Sequence, residues 1–274
     1  MTTSTLTSAR EAVDRAVGLM STLDLAEVTA AADLQTRTDR KYLVPAADFL
    51  ALTRELDGTL AVLDIEGRRT FDYESVYFDT PELLAYHAHA RGRRRRFKVR
   101  TRTYLNSGQC ALEIKTEGGR GETVKDRHPY AAAQRYDLDH SARALVGTAV
   151  GSQPLADRLQ TSLVTRYSRT TIVDTHTRSR MTCDVDLAFS DDSRRLTGPA
   201  EMVLVESKTV GAAGQVDAIL WRLGHRPVAL SKYCAGLALL DPRLPANRWN
   251  RTLRRTFGWQ PDDRIAGWDR GDHS

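Results

Sequence analysis

The sequence predicts an α+β fold: an antiparallel β-barrel or tunnel with a charged lumen, flanked by helices. Three observations carry this reading. Strand-like segments put charges on one parity and apolar residues on the other; the pattern recurs far apart in the chain; and stretches of helical period separate the strands. The clearest instance is RRRRFKVRTRTYLNSGQCALEIK, residues 93–115. At period two, Arg94, Arg96, Lys98, Arg100 and Arg102 take one face, and Phe97, Val99, Thr101 and Thr103 the other. A turn at Asn106–Gly108 leads to a second strand with Leu112 and Ile114 opposite Glu113 and Lys115. The same parity groups Arg178, Arg180, Asp184 and Asp186, then Glu206 with Lys208, then Asp39 with Lys41.

Taken in order, a polar start gives way to apolar residues at helical spacing from Ser8 to Leu25, broken near Gly18. A strand over 36–44 ends at Pro45, and a helix follows over 46–56. Residues 70–79 are aromatic and β-branched, hence a strand; Thr80 and Pro81 then predict a helix start, running to Ala90. The glycine-rich link 118–121 lacks the lysine and following helix of a phosphate-binding loop and reads as a hairpin or mobile loop before a strand at 122–128. Residues 129–150 are alanine-rich and predict a helix. Two paired strands follow at 159–174 and 178–189, then a strand at 201–210 and helices at 211–223 and 231–240, the last capped by Ser231. This divides the chain into a helical segment (1–33), a tunnel domain (34–240) and a basic, Trp-dotted tail (241–274) expected to be dispensable for catalysis.

Composition sets the bounds. The 274 residues suffice for a sizeable core, and 41% hydrophobic with 27% charged residues is ordinary for a globular protein. A net charge of +5 decides little beside the local arginine clusters. The 3 cysteines lie far apart and read as reduced thiols. No 18-residue apolar run is present, and the polar start lacks the apolar core expected of a signal peptide. This predicts a cytoplasmic protein, leaving open a membrane-protein partner at the inner face of the membrane.

Arginine and lysine on paired strands, with a few carboxylates among them, fit the binding of a phosphate chain with a divalent metal. Guanidinium forks grip phosphate oxygens bidentately, and phosphoryl transfer needs positioning and charge neutralisation more than covalent help. Glu206 is the leading candidate for a metal ligand, since Lys208 shares its strand face, and Glu113 is second. Nucleic acid is disfavoured, because single-stranded platforms interleave aromatic and basic residues and Phe97 falls opposite the cations.

The order of motifs resembles the VTC domain, the polyphosphate polymerase type within the triphosphate tunnel metalloenzyme (CYTH-like) superfamily. The matching pieces are RTDRKYLV (37–44), VYFDT (76–80), KVRTRTY (98–104), LEIKT (112–116), YSRTT (167–171), RMTCD (180–184), LVESK (204–208) and SKY (231–233). Arg37, Asp39 and Lys41 stand where the broader superfamily has ExExK, which suits the VTC branch and removes one acidic ligand. The resemblance implies an antiparallel tunnel that binds ATP or another nucleoside triphosphate and inorganic polyphosphate, with Mn²⁺ or Mg²⁺. It implies that Lys41, Arg100, Arg102, Lys115, Lys125, Arg169 and Arg180 hold phosphates, and that Glu206 holds the metal. Ser231 and Lys232 would complete the grip near one mouth; Arg37 and Lys208 are the remaining substrate-binding candidates. The implied activity is polyphosphate polymerase-like phosphoryl transfer by a free-standing bacterial-type domain. A hydrolase of tripolyphosphate or nucleotide, and a non-catalytic polyphosphate-binding module, are the alternatives.

Overall fold

A computed structural model of the chain describes residues 8–31, 38–118, 123–177 and 179–261. Its centre is an 11-stranded sheet. In chain order the elements are α1 (Ala9–Gly18), β1 (Ser21–Leu23), α2 (Leu25–Ala31), β2 (Thr38–Pro45), α3 (Ala46–Glu55), β3 (Leu60–Leu63), β4 (Phe71–Asp79), α4 (Leu84–Ala90), β5 (Arg96–Tyr104), β6 (Cys110–Glu117) and β7 (Thr123–Tyr130). They continue with α5 (His140–Val150), α6 (Gln153–Asp157), β8 (Gln160–Asp174), β9 (Arg180–Ser190), β10 (Arg195–Thr197), β11 (Met202–Thr209), α7 (Gln215–Arg222), α8 (Lys232–Leu240) and α9 (Asn250–Phe257). The main strand order is β2-β11-β9-β8-β4-β5-β6-β7, with every neighbouring pair antiparallel. Among the described residues β2 and β7 do not pair, so the sheet is not closed into a barrel.

Strand alternation sorts the side chains into two faces. On the outer face, Tyr42, Val44, Met181, Cys183, Val203 and Val205 form one core with α1, α3 and α7. Val76, Phe78, Val99, Leu112 and Ile114 form a second core under α5 and α6. The inner face carries the charges, and α8 covers one end of it, packing on Leu43, Tyr77, Leu163, Tyr167, Phe189 and Leu204. This close approach needs Gly236, where a Cβ would stand 2.6 Å from Phe189 and 2.8 Å from Leu163. Two elements fix α8: Ser231 Oγ accepts from Cys234 N at its start, and Tyr233 Oη donates to the fully buried Asp79.

Several expectations change. The helix starts at Leu84 rather than at Pro81: Pro81 and Glu82 form a turn, and Thr80 Oγ1 accepts from Leu84 N at 3.3 Å. The amides of Ala85 and Tyr86 instead donate to Asp79, each at 2.9 Å, so that carboxylate caps α4. The helix expected over 129–150 begins only at His140, where Asp139 caps it, because Thr123–Tyr130 continues as strand. Strands β1, β3 and β10 and helix α2 carry no period long enough to read. Arg94 lies in a bend ahead of β5, not on its face.

The basic tail is also corrected: Ala246, Trp249, Leu253 and Trp259 are buried against α4 and α8, and Trp259 Nε1 donates to Ala238 O at 2.8 Å. Its one amphipathic stripe is short, and Trp249 and Trp259 lie outside the helix, so periodicity did not expose it. Deleting residues 241–274 is expected to lower the unfolding free energy by at least about 3–5 kcal/mol, the scale of removing one buried aromatic. Denaturant midpoints of the full and shortened chains check this; equal midpoints would return these residues to the status of a tail.

Candidate active site

Register places the charged side chains in rungs across the inner face. At one end Asp39, Lys208 and Arg180 lie side by side on β2, β11 and β9. Next come Lys41, Glu206 and Thr182, and then Asp184 beside Arg169 on β8. Further round the sheet, Thr165, Ser75, Arg102 and Ala111 form one rung, and Tyr77, Arg100, Glu113 and Arg127 another. Beyond it Lys98, Lys115 and Lys125 sit directly opposite one another on β5, β6 and β7. Like charges facing each other across strands destabilise a sheet unless an anion lies between them.

The carboxylates hold the cations in place. Arg100 donates to Glu113 from Nε at 2.9 Å and Nη2 at 2.6 Å, and from Nη1 to Tyr77 Oη at 2.9 Å. Arg102 Nη1 lies 3.5 Å from the other oxygen of Glu113. Asp184 receives Arg169 through two bonds, at 2.6 and 2.8 Å, and Lys232 Nζ from α8. Lys208 Nζ bridges Glu206 at 2.5 Å and Asp39 at 3.2 Å, and Lys41 Nζ is 3.6 Å from Glu206. Burial alone would raise the Glu206 carboxyl, but the charges of Lys41, Lys208 and Arg169 hold it well below the usual carboxylate range. Glu113 and Asp184 are likewise pushed up by burial and pulled down further, by Arg100 with Lys125 and by Arg169 with Lys232.

Tyrosines from β4 and β8 share this face, which the reading of β5 alone did not foresee. Tyr73 and Tyr167 stack at 5.3 Å. Arg102 and Arg169 lie over Tyr73, and Arg169 and Lys232 over Tyr167, the last at 4.2 Å. The rings therefore hold guanidinium groups and are not open stacking platforms. Buried donors also remain unsatisfied: Ser75 Oγ, Thr165 Oγ1, Thr182 Oγ1 and Arg102 Nε have no hydrogen-bond partner, although such groups nearly always find one.

Lys41, Arg100, Arg102, Lys115, Lys125, Arg169, Arg180, Lys208, Glu113 and Glu206 thus lie on one face, and Lys232 reaches it from α8. Ser231 acts as the cap of α8, with its Oγ 3.5 Å from Cys234 N. Arg37 and Arg178 lie outside the described residues. Asp186 leaves the face that its parity predicts. A bulge between Arg166 and Ser168 opposes it, its φ is +55°, and its carboxylate turns outward to Arg10, 2.8 Å from Nε. Alternation along β5 puts Lys98 on the charged face, although it is not among the candidate site residues. Arg127, Ser75, Thr165 and Thr182 are additions: alternation along β7 could have found Arg127, whereas the hydroxyls give no signal in sequence.

The sequence profile of the VTC domain matches residues 36–241. The chain belongs to the VTC domain family. Among curated proteins no sequence matches. Solved structures give remote likenesses. One is a candidate adenylate cyclase from Vibrio parahaemolyticus, with 10% identity and a TM-score of 0.42, covering 72% of this chain and 95% of the other. A second is a candidate adenylyl cyclase from Hippeastrum with a dominant triphosphatase activity, at 13% identity and a TM-score of 0.48, covering 72% and 93%. No helix among the described residues of this VTC domain is long and apolar enough to cross a membrane.

The donor set of the VTC domain fits one kind of metal. Among the described residues no group of three or more His, Cys, Asp or Glu side chains is arranged to hold an ion. That does not suit a zinc cage, but Mg²⁺ and Mn²⁺ sites commonly take one or two carboxylates and complete their shell with phosphate oxygens and water. Glu206, kept ionised by its neighbours, is a carboxylate that could take such a place.

Among the described residues the Lys98 side chain makes no ion pair or hydrogen bond. Burial first, then the charges of Lys115 and Arg100, push its ammonium down to about 8. A phosphate chain across the rung would raise that value again. Binding therefore takes up no proton below pH 8 and must take one up above it. Affinity for tripolyphosphate is expected to hold below pH 8 and, relative to Lys98→Met, to fall above it by at most about tenfold per pH unit for this one group. Titration calorimetry of both proteins across pH 7–10 checks this; parallel profiles would remove Lys98 from the site.

Proposed function

We propose that this VTC domain is a metal-dependent phosphoryl transferase acting on a nucleoside triphosphate, with ATP as first candidate, and inorganic polyphosphate. The observation that carries the reading is the Lys98–Lys115–Lys125 rung standing beside Arg100 and Arg102, with buried donors left unpaired. A multivalent anion of linear shape lying along this face would meet these charges rung by rung. Arg100, Arg102 and Arg169, held by carboxylates and tyrosines, would grip phosphoryl oxygens in fixed orientation, which is most of what the reaction asks of a protein. The lysines would neutralise charge on the chain. Mn²⁺ or Mg²⁺ bound at Glu206 would neutralise charge on the oxygens of the transferred group.

The acceptor follows from the acids. Asp39, Glu113, Asp184 and Glu206 on the inner face are each engaged by cations, and Glu113, Asp184 and Glu206 are held below the usual range, which makes them weak bases; Asp79, which burial raises, is enclosed by Tyr233 and the amides of α4. Activating water calls for a base, whereas a terminal phosphate oxygen is already ionised. This favours chain growth over hydrolysis. Incubation with ATP and Mn²⁺, read by phosphorus NMR, tests it: long-chain phosphate resonances are expected, and orthophosphate alone would identify a hydrolase.

A further inference from the structure

The arginine run ahead of β5 plays no part in the site above. Arg91, Arg93, Arg94 and Arg95 are all exposed, and among the described residues none forms an ion pair. Arg248 joins them from the segment before α9: its Nη1 donates to His89 O at 3.2 Å and stands 3.0 Å from the place of a Gly92 Cβ. The nearest carboxylate in register, Glu117, is already taken by Arg96 and by Lys115 at 3.4 Å.

A charge run is most often a solvated face. Two features separate this one from that outcome. Its backbone is pinned: Arg91 N donates to His87 O at 3.0 Å, Arg93 N to Ala88 O at 2.9 Å, and Arg96 Nη1 to Arg93 O at 2.8 Å. It also leads along the chain directly into Arg96 and, two residues on, into the lysine rung of the inner face, with Glu117, shared by Arg96 and Lys115, as the carboxylate at the junction. A nucleotide held at Arg100 is too short to use both regions, whereas a long chain bearing one charge per unit is not.

We propose that Arg93–Arg95, with Arg248, form an external subsite for the part of a polyphosphate chain that extends past the lysine rung, so that long chains bind more tightly than short ones. This rests on the inner face being a phosphate-chain site, and tripolyphosphate affinity reports on that face alone.

The test compares the full chain with its R93Q/R94Q/R95Q variant, titrated with tripolyphosphate and with long-chain polyphosphate over a range of salt. The variant is expected to lose at least about tenfold in affinity for the long chain and to show a salt slope shallower by about two, at about 0.7 per phosphate contact. Its tripolyphosphate affinity is expected to stay the same. Equal losses for both ligands, or no loss for either, would overturn the subsite. So would an unchanged long-chain affinity accompanied by lost binding to phosphatidylserine vesicles or to oligo-dT, which would assign the run to a membrane surface or to nucleic acid. A wild-type protein that binds neither phosphate ligand would remove the inner-face reading and this one with it.

Discussion

Glu206→Gln is expected to lower metal-dependent turnover by at least about 10²-fold, the scale of losing one preorganised electrostatic group, while the protein stays folded. Glutamine keeps the volume and an oxygen that can accept from Lys208 Nζ, now at 2.5 Å from the carboxylate. What it loses is the charge. Lys41 and Lys208 would then face the phosphate chain without a competing anion, so tripolyphosphate affinity measured without metal should be unchanged or tighter. The expected signature is therefore a fall in kcat without a matching loss of phosphate binding. Turnover within a few-fold of wild type would exclude Glu206 as the metal ligand, and weaker phosphate binding would show its charge to be structural.

The split between what the sequence reveals and what it hides follows the physics of strands. Alternation is local, so the charged parity of Arg100, Arg102, Lys115, Arg180 and Glu206 is legible, and the structure puts all of them on one face. Register is not local. Nothing near Lys98 says that Lys115 and Lys125 stand in its own rung, because that depends on how β5, β6 and β7 pair. A bulge defeats alternation outright, as at Asp186, where one extra residue sends a carboxylate outward and brings Leu187 and Phe189 in against α8. Distant pairings are equally hidden. The VYFDT and SKY motifs are separate in sequence, yet Asp79 of the first accepts from Tyr233 of the second, and this bond seats the helix that carries Lys232.

Asp184→Ala is expected to lower the unfolding free energy by about 3–5 kcal/mol, the usual cost of stripping one partner from a buried charge cluster. Asp184 is 1% exposed and compensates both Arg169 and Lys232. Its folded carboxyl is depressed, burial notwithstanding, by those two cations, so its contribution is present above the ordinary aspartate value of 3.8 and is lost as pH falls toward the depressed folded value. The destabilisation of the variant should accordingly be seen at pH 7 and shrink in strong acid. The further expectation concerns the ligand. If Arg169 and Lys232 face the phosphate path, tripolyphosphate can replace the missing carboxylate, and any ligand selective for the folded state adds about 2.7 kcal/mol at a hundred times its Kd. Melting in a tripolyphosphate series should then show a larger upward shift for Asp184→Ala than for wild type, with Asp184→Asn, which preserves the side-chain shape, in between. Equal shifts in all three proteins would mean that the Arg169–Asp184–Lys232 cluster only braces α8 against the sheet and meets no phosphate.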